Sequence, residues 1–157
     1  MKTPKSHPET TAPRRAPPVR DGQSAAKQPK RILGAGTEPR DFTILLVDDD
    51  PAVLEALRRV FQLEGWDVAA APGGAEALEY LQSHSPDLMI TDLSMASVNG
   101  WDLLFHESFQ RPDLPLFVIT ALPLSTVCGA DKFAHEFFQK PLDLDALIAA
   151  VRRYLGE

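Results

Sequence analysis

The chain has 157 residues, 44% of them hydrophobic, which suits a single domain with one compact core. Its one cysteine, Cys128, excludes an internal disulfide. No apolar run reaches the roughly 20 residues needed to span a bilayer, and the charged N-terminus lacks the apolar stretch of a secretory signal, so neither membrane insertion nor export is expected and the cytoplasm is the expected compartment. The net charge of −6 is divided unevenly, with nine Lys/Arg against three Asp/Glu in residues 1–40 and seven against nineteen in residues 41–157.

Residues 1–40 hold seven of the fourteen prolines, and Ile32-Leu33 is their only adjacent pair of large apolar residues. Such a segment buries too little surface to offset its ordering entropy, so a disordered basic leader is expected before a domain spanning 41–157.

The domain opens with Thr43-Ile44-Leu45-Leu46-Val47, a continuous apolar run ending at three aspartates, as in a strand buried on both faces. Pro51 suits a first helical turn, and Val53, Leu54, Leu57, Val60 and Phe61 recur at helical spacing up to Gly65. Trp66 to Ala71 reads as a second strand. Gly73-Gly74 opens a helix with Ala77, Leu78 and Leu81 on one face, ended by Pro86. Asp87 to Thr91 is a third strand reaching Asp92. Gly100 precedes a helix with Leu103, Leu104 and Phe109. Leu114 to Ile119 is a fourth strand ending at Thr120. A weaker helical stretch is expected over roughly Leu124 to Ala134. Phe137-Phe138-Gln139 is a short fifth strand ending at Lys140-Pro141, and Asp143 can cap a last helix striped by Leu144, Leu147, Ile148, Val151 and Leu155.

This alternation predicts an α/β fold. The expected form is a flavodoxin-like, doubly wound, five-stranded parallel sheet of order 2-1-3-4-5 with about five flanking helices. Ligands of such sheets bind beyond the carboxyl ends of the strands. The first strand delivers Asp48, Asp49 and Asp50 there, the third Asp92, the fourth Thr120 and the fifth Lys140. Clustered carboxylates repel one another and favour a divalent cation, and Mg²⁺ suits oxygen ligands. A lysine opposite can hold a phosphoryl oxygen, a threonine hydroxyl can serve another, and a central carboxylate can be a phosphoryl-accepting nucleophile. Gly73-Gly74 lacks the lysine and spacing of a phosphate-binding loop.

The run Val47-Asp48-Asp49-Asp50-Pro51, the strand end Thr91-Asp92 with Met95 and Gly100 beyond it, Thr120-Ala121 and Lys140-Pro141 together resemble the signature of bacterial response-regulator receiver domains, over residues 42–155. The resemblance implies that Asp92 is the phosphoacceptor. It implies that Asp49 ligates Mg²⁺ directly, Asp48 through water, and Ser94 through its backbone carbonyl, with Asp92 completing the set. Thr120 and Lys140 would contact the phosphoryl group, and Thr120 and Phe137 would be the switch pair. Asp50 has no family role and reads as a solvated carboxylate at the helix start. His7, His84, His106 and His135 fit exposed positions, and Cys128 reads as a small apolar filler.

Two departures stand out. Met95-Ala96 replaces the family's usual Met-Pro pair. The interval from Thr120 to Lys140 is shorter than the family's by roughly two residues. It carries Pro123, and Gly129 costs its helix about 1 kcal/mol relative to Ala.

The expected function is that of a single-domain response regulator, not a metabolic enzyme. It would accept a phosphoryl group from a sensor histidine kinase or histidine phosphotransfer protein and switch an unknown downstream partner, as a monomer or a phosphorylation-dependent dimer. A receiver-fold scaffold with vestigial phosphorylation is the alternative. An aspartyl phosphatase is disfavoured because Ser94 stands where a general acid is expected. Nucleic-acid binding through the leader is opposed by the acidic domain.

Overall fold

The computed structural model describes residues 42–96, 100–127, 129 and 132–156; the leader of residues 1–40 and Cys128 fall outside these. Five parallel strands form one sheet in the order β2-β1-β3-β4-β5: β1 Thr43–Val47, β2 Asp67–Ala71, β3 Leu88–Asp92, β4 Leu116–Thr120 and β5 Glu136–Gln139. The helices are α1 Pro51–Leu63, α2 Gly74–Ser83, α3 Gly100–Gln110 and α4 Leu144–Leu155.

The strands are short, and their alternate apolar residues serve two cores. Leu45, Val47, Met89, Leu116 and Val118 face α2 and α3, packing with Ala77, Leu81, Leu103 and Leu104. Ile44, Leu46, Ile90, Phe117 and Ile119 face α1 and α4, packing with Leu54, Leu57, Phe61, Leu147 and Val151. The central strands β3 and β4 are buried throughout, as continuous apolar runs in a parallel sheet should be.

Local signals set the helix ends. Asp50 caps α1, its carboxylate accepting from the Ala52 amide at 2.8 Å, and Pro51 occupies the first turn. Gly65, at φ +90°, turns the chain out of α1, and buried Trp66 then packs edge-on against Phe61 at 5.6 Å. Asp143 caps α4 through the Ala146 amide at 3.0 Å, and Gly156 ends it in the left-handed conformation.

Among the described residues of 124–134, the expected α-helix is not found. The described part of this crossover contains one 3-10 turn, Leu124–Thr126, so the described residues hold four α-helices rather than five. Two residues explain the correction. Pro123 offers its carbonyl to the Thr126 amide and hydroxyl, closing a tight turn, and Gly129 takes φ +92°, which no right-handed helix contains.

Consecutive right-handed crossovers put this segment on the same face as α3, and Val127 and Phe133 do pack into that core. Among the described residues no α-helix covers this flank of α3. Phe105 is 53% and Phe109 65% exposed, and they stack edge-on against each other at 4.9 Å, with Phe133 5.2 Å from Phe105. His135, expected at an exposed position, is instead half-buried before β5, where its Nδ1 accepts from the Leu116 amide at 3.1 Å.

Candidate functional site

Parallel pairing brings the C-terminal ends of β1, β3, β4 and β5 to one edge. Val47 is level with Thr91, Asp92 with Ile119, and Thr120 with Gln139. The residues that follow therefore converge: Asp48 and Asp49 after β1, Asp92 ending β3, Thr120 ending β4 and Lys140 after β5.

Lys140 joins them. Its Nζ donates to Asp48 Oδ2 and to Asp92 Oδ2, each at 2.8 Å. Asp48 and Asp92 are 1% and 5% exposed, so two carboxylates are held in the sheet edge by one ammonium. Burial alone would lower the Lys140 pKa; the hydrogen bonds it donates to both carboxylates, and their charges, outweigh this and hold the ammonium above its ordinary value. The Lys140 amide donates to the Thr120 carbonyl at 2.8 Å, and the Lys140-Pro141 peptide is cis.

Each carboxylate also has a backbone donor. Asp48 Oδ1 accepts from the Asp50 amide at 2.9 Å, Asp92 Oδ1 from the Ser94 amide at 2.8 Å and Asp49 Oδ2 from the Ala96 amide at 2.9 Å. Asp49, unlike its neighbour, is exposed. Thr120 is fully buried, its hydroxyl accepting from the Leu122 amide at 3.1 Å. Phe137 pairs with Val118 and is half-buried against the α2–α3 core, so Phe137 and Thr120 lie on one face of the sheet. Asp50 stays outside the cluster as the α1 cap.

Three carboxylates and one ammonium leave two net negative charges, which suits a divalent, oxygen-seeking cation. Among the described residues, no three acidic, histidine or cysteine side chains are already gathered to hold a metal ion. The hydrogen bonds say why: Asp48 and Asp92 lean on Lys140, while Asp49 is drawn to Ala96. A cation that keeps several waters needs few protein oxygens, and Asp49, Asp92 and the Ser94 carbonyl are of the right kind. Surface depressions lined by Tyr80 and His84, and by Ile148 and Arg152, include none of these residues.

Two contacts of the Asp92 backbone support the site. The Asp92 carbonyl accepts from the Thr91 hydroxyl at 3.0 Å. It also lies directly beneath Gly100, where a Cβ would come within 1.9 Å of it. Gly100 belongs to the signature that carries the family resemblance, and this close approach is the physical reason a glycine is needed there.

The family model for the response regulator receiver domain matches residues 44–152. The chain belongs to that family. Among curated receiver-containing relatives, the response regulator MprA of Mycobacterium ulcerans is 40% identical over 75 residues, covering 48% of this chain and 32% of that protein. The probable transcriptional regulatory protein TcrX of Mycobacterium tuberculosis is 29% identical over 76 residues, covering 48% and 32%. The matched stretch thus spans about a third of these relatives. Of solved receiver structures, TrrA of Thermotoga maritima in complex with Mg²⁺-BeF superposes with a TM-score of 0.68 at 28% identity, covering 72% of this chain and 98% of that one. A receiver protein of Pseudomonas putida gives 0.68 at 30% identity, covering 73% and 98%.

Proposed function

We infer that this receiver domain accepts a phosphoryl group on Asp92 and passes the event to its surface as a conformational switch. The observation that carries the reading is Lys140 Nζ bridging Asp48 and Asp92 at 2.8 Å each, at the carboxyl edge of the sheet. Membership in the receiver family supports it.

In this reading a carboxylate oxygen of Asp92 bonds to the phosphorus of a phosphohistidine on a sensor kinase or phosphotransfer protein. The P–N bond breaks and its electron pair returns to the imidazole nitrogen, leaving an acyl phosphate. The Ser94 amide keeps Asp92 in one rotamer for this attack. Lys140, freed from one carboxylate, turns to a phosphoryl oxygen and supplies the compensating charge. A magnesium ion at Asp49, Asp92 and the Ser94 carbonyl, with Asp48 linked through water, would neutralise the charge that phosphoryl oxygens bring to the carboxylates. The magnesium-bound TrrA neighbour supports that assignment.

Readout begins at Thr120. Its hydroxyl exchanges the Leu122 amide for a phosphoryl oxygen, which pulls on the loop after β4. Phe137, on the same face and half-buried, repacks with it. The domain turns over only its own phosphoryl group. The residue two after Asp92 is Ser94, not an acid able to protonate a leaving group.

The test is incubation of the full chain with acetyl phosphate and Mg²⁺, followed by intact-mass measurement. Wild type should gain one phosphoryl group and Asp92→Asn none. Equal labelling of both proteins would reject Asp92 as the acceptor.

A further inference from the structure

The hydrogen bond from the Ala96 amide to Asp49 Oδ2, at 2.9 Å, links two residues 47 positions apart. It joins the loop after β3 to the loop after β1 across the mouth of the site. It depends on position 96 having an N–H. A proline, which most receivers carry there, has none and leaves Asp49 without this partner. Asp49 is the exposed carboxylate of the set, so its orientation is fixed by this bond rather than by packing.

We propose that the Ala96 amide is a latch that holds Asp49 back from the divalent cation, so that metal binding and the latch compete. The proposal rests on the reading of Asp49 as a magnesium ligand. Asp48 and Asp92 are already tied to Lys140, and Asp49 is the acidic side chain free of that ammonium. Turning it to Ala96 removes from the set the carboxylate most able to move. Before Asp49 can bring its oxygens to a cation beside Asp92, the latch opens and the Ala96 amide passes to water. The domain therefore becomes competent for phosphorylation at a higher magnesium concentration than the same site without the bond. The shift is the weight of one partly exposed hydrogen bond, about fivefold in Kd, equivalent to about 1 kcal/mol.

The latch also couples the two loops. While it is closed, the loop carrying Met95 and Ala96 is tied to β1. When it opens, that loop is released at the moment the metal site forms. Opening should thus be visible at Ala96 itself, without any phosphoryl donor.

The experiment titrates the isotope-labelled full chain with MgCl₂ alone and follows backbone amides by NMR, with Kd measured in parallel for Ala96→Pro and Ala96→Gly. The latch predicts that the Ala96 amide loses its hydrogen-bonded shift and exchanges faster with solvent as magnesium saturates. It predicts that Ala96→Pro binds about fivefold tighter than wild type, and that Ala96→Gly, which keeps the N–H, binds as wild type does. Binding that shifts amides around Asp92 but leaves Ala96 protected would overturn the latch and leave the metal reading intact. So would equal affinities in all three proteins. Binding by Ala96→Pro alone would support the latch in its strongest form. No response in any of the three would reject the magnesium assignment, and the latch with it.

Discussion

Gly100→Ala should be among the most damaging single-atom changes this domain can suffer. An added Cβ would lie 1.9 Å from the Asp92 carbonyl oxygen, 2.6 Å from Leu93 Cα and 2.8 Å from the Asp92 carbonyl carbon. All three are backbone atoms, so no rotamer change relieves the contact. The start of α3 must retreat by more than about 1 Å to reach ordinary contact distance, which loosens Leu103 and Leu104, at 1% and 0% exposure. Overpacking of this kind costs about 1–3 kcal/mol or more. The helix-propensity gain of Ala over Gly, up to about 1 kcal/mol, is diminished at a first helical residue. A net loss of about 2 kcal/mol follows, or roughly 10 °C in Tm for a domain of this size. Thermal and urea unfolding followed by circular dichroism measure it. Gly65→Ala is the comparison: its φ of +90° strains any side chain, but nothing lies within 4 Å of its Cβ, so it should lose only about 1 kcal/mol. A Gly100→Ala protein within about 0.5 kcal/mol of wild type would refute the packing argument.

Other consequences follow from the same geometry. Lys140→Met leaves two buried carboxylates facing each other. The loss should be about 2–3 kcal/mol, below the 3–5 of a fully buried pair because the lysine side chain keeps 22% exposure, and Asp48→Asn added to it should recover part in urea unfolding. The Lys140 pKa is raised in the fold above its ordinary 10.5, so its stabilisation is complete below that pH and fades as pH rises through the folded value. The stability gap between wild type and Lys140→Met should therefore narrow in alkaline unfolding series above pH 10.5, and stay constant from neutrality to that point. Saturating magnesium should raise the wild-type Tm, by an amount equivalent to about 2.7 kcal/mol at a hundredfold excess over Kd, and raise that of Asp49→Asn much less. Asp143→Ala removes the α4 cap and should cost about 1 kcal/mol in urea unfolding, with magnesium binding unchanged.

Much of this architecture could be read from the chain because local and global signals agree. The apolar runs at 43–47 and 88–92, the Asp50-Pro51 helix start and the Asp143 cap each dictate structure within a few residues. The convergence of Asp48, Asp92 and Lys140 was legible too, because every strand of a parallel sheet delivers its C-terminal residue to one edge.

What could not be read depends on packing between distant parts. The apolar pattern over 124–134 looks helical, yet a turn closed on Pro123 and a left-handed Gly129 override it. Glu107 occupies a core-facing position of α3, with Gly100, Leu103 and Leu104, at 2% exposure. Helical spacing alone would demand an apolar residue there; the polar neighbours are Arg111, four residues on, 3.1 Å from Glu107, and His106, 2.8 Å from it. The Ala96–Asp49 bond was invisible for a related reason: the missing proline was apparent, but which acceptor its amide would find was set by β1.

The central claim is that Asp92 carries the phosphoryl group. Borohydride reduction tests it most directly, because it converts an aspartyl phosphate to homoserine at the residue that bore it. Full-length protein treated with acetyl phosphate and Mg²⁺, reduced and mapped by peptide mass spectrometry, should show homoserine at position 92 and intact aspartate at 48, 49 and 50. Homoserine at any of those three positions, or at none of the four, would contradict the account.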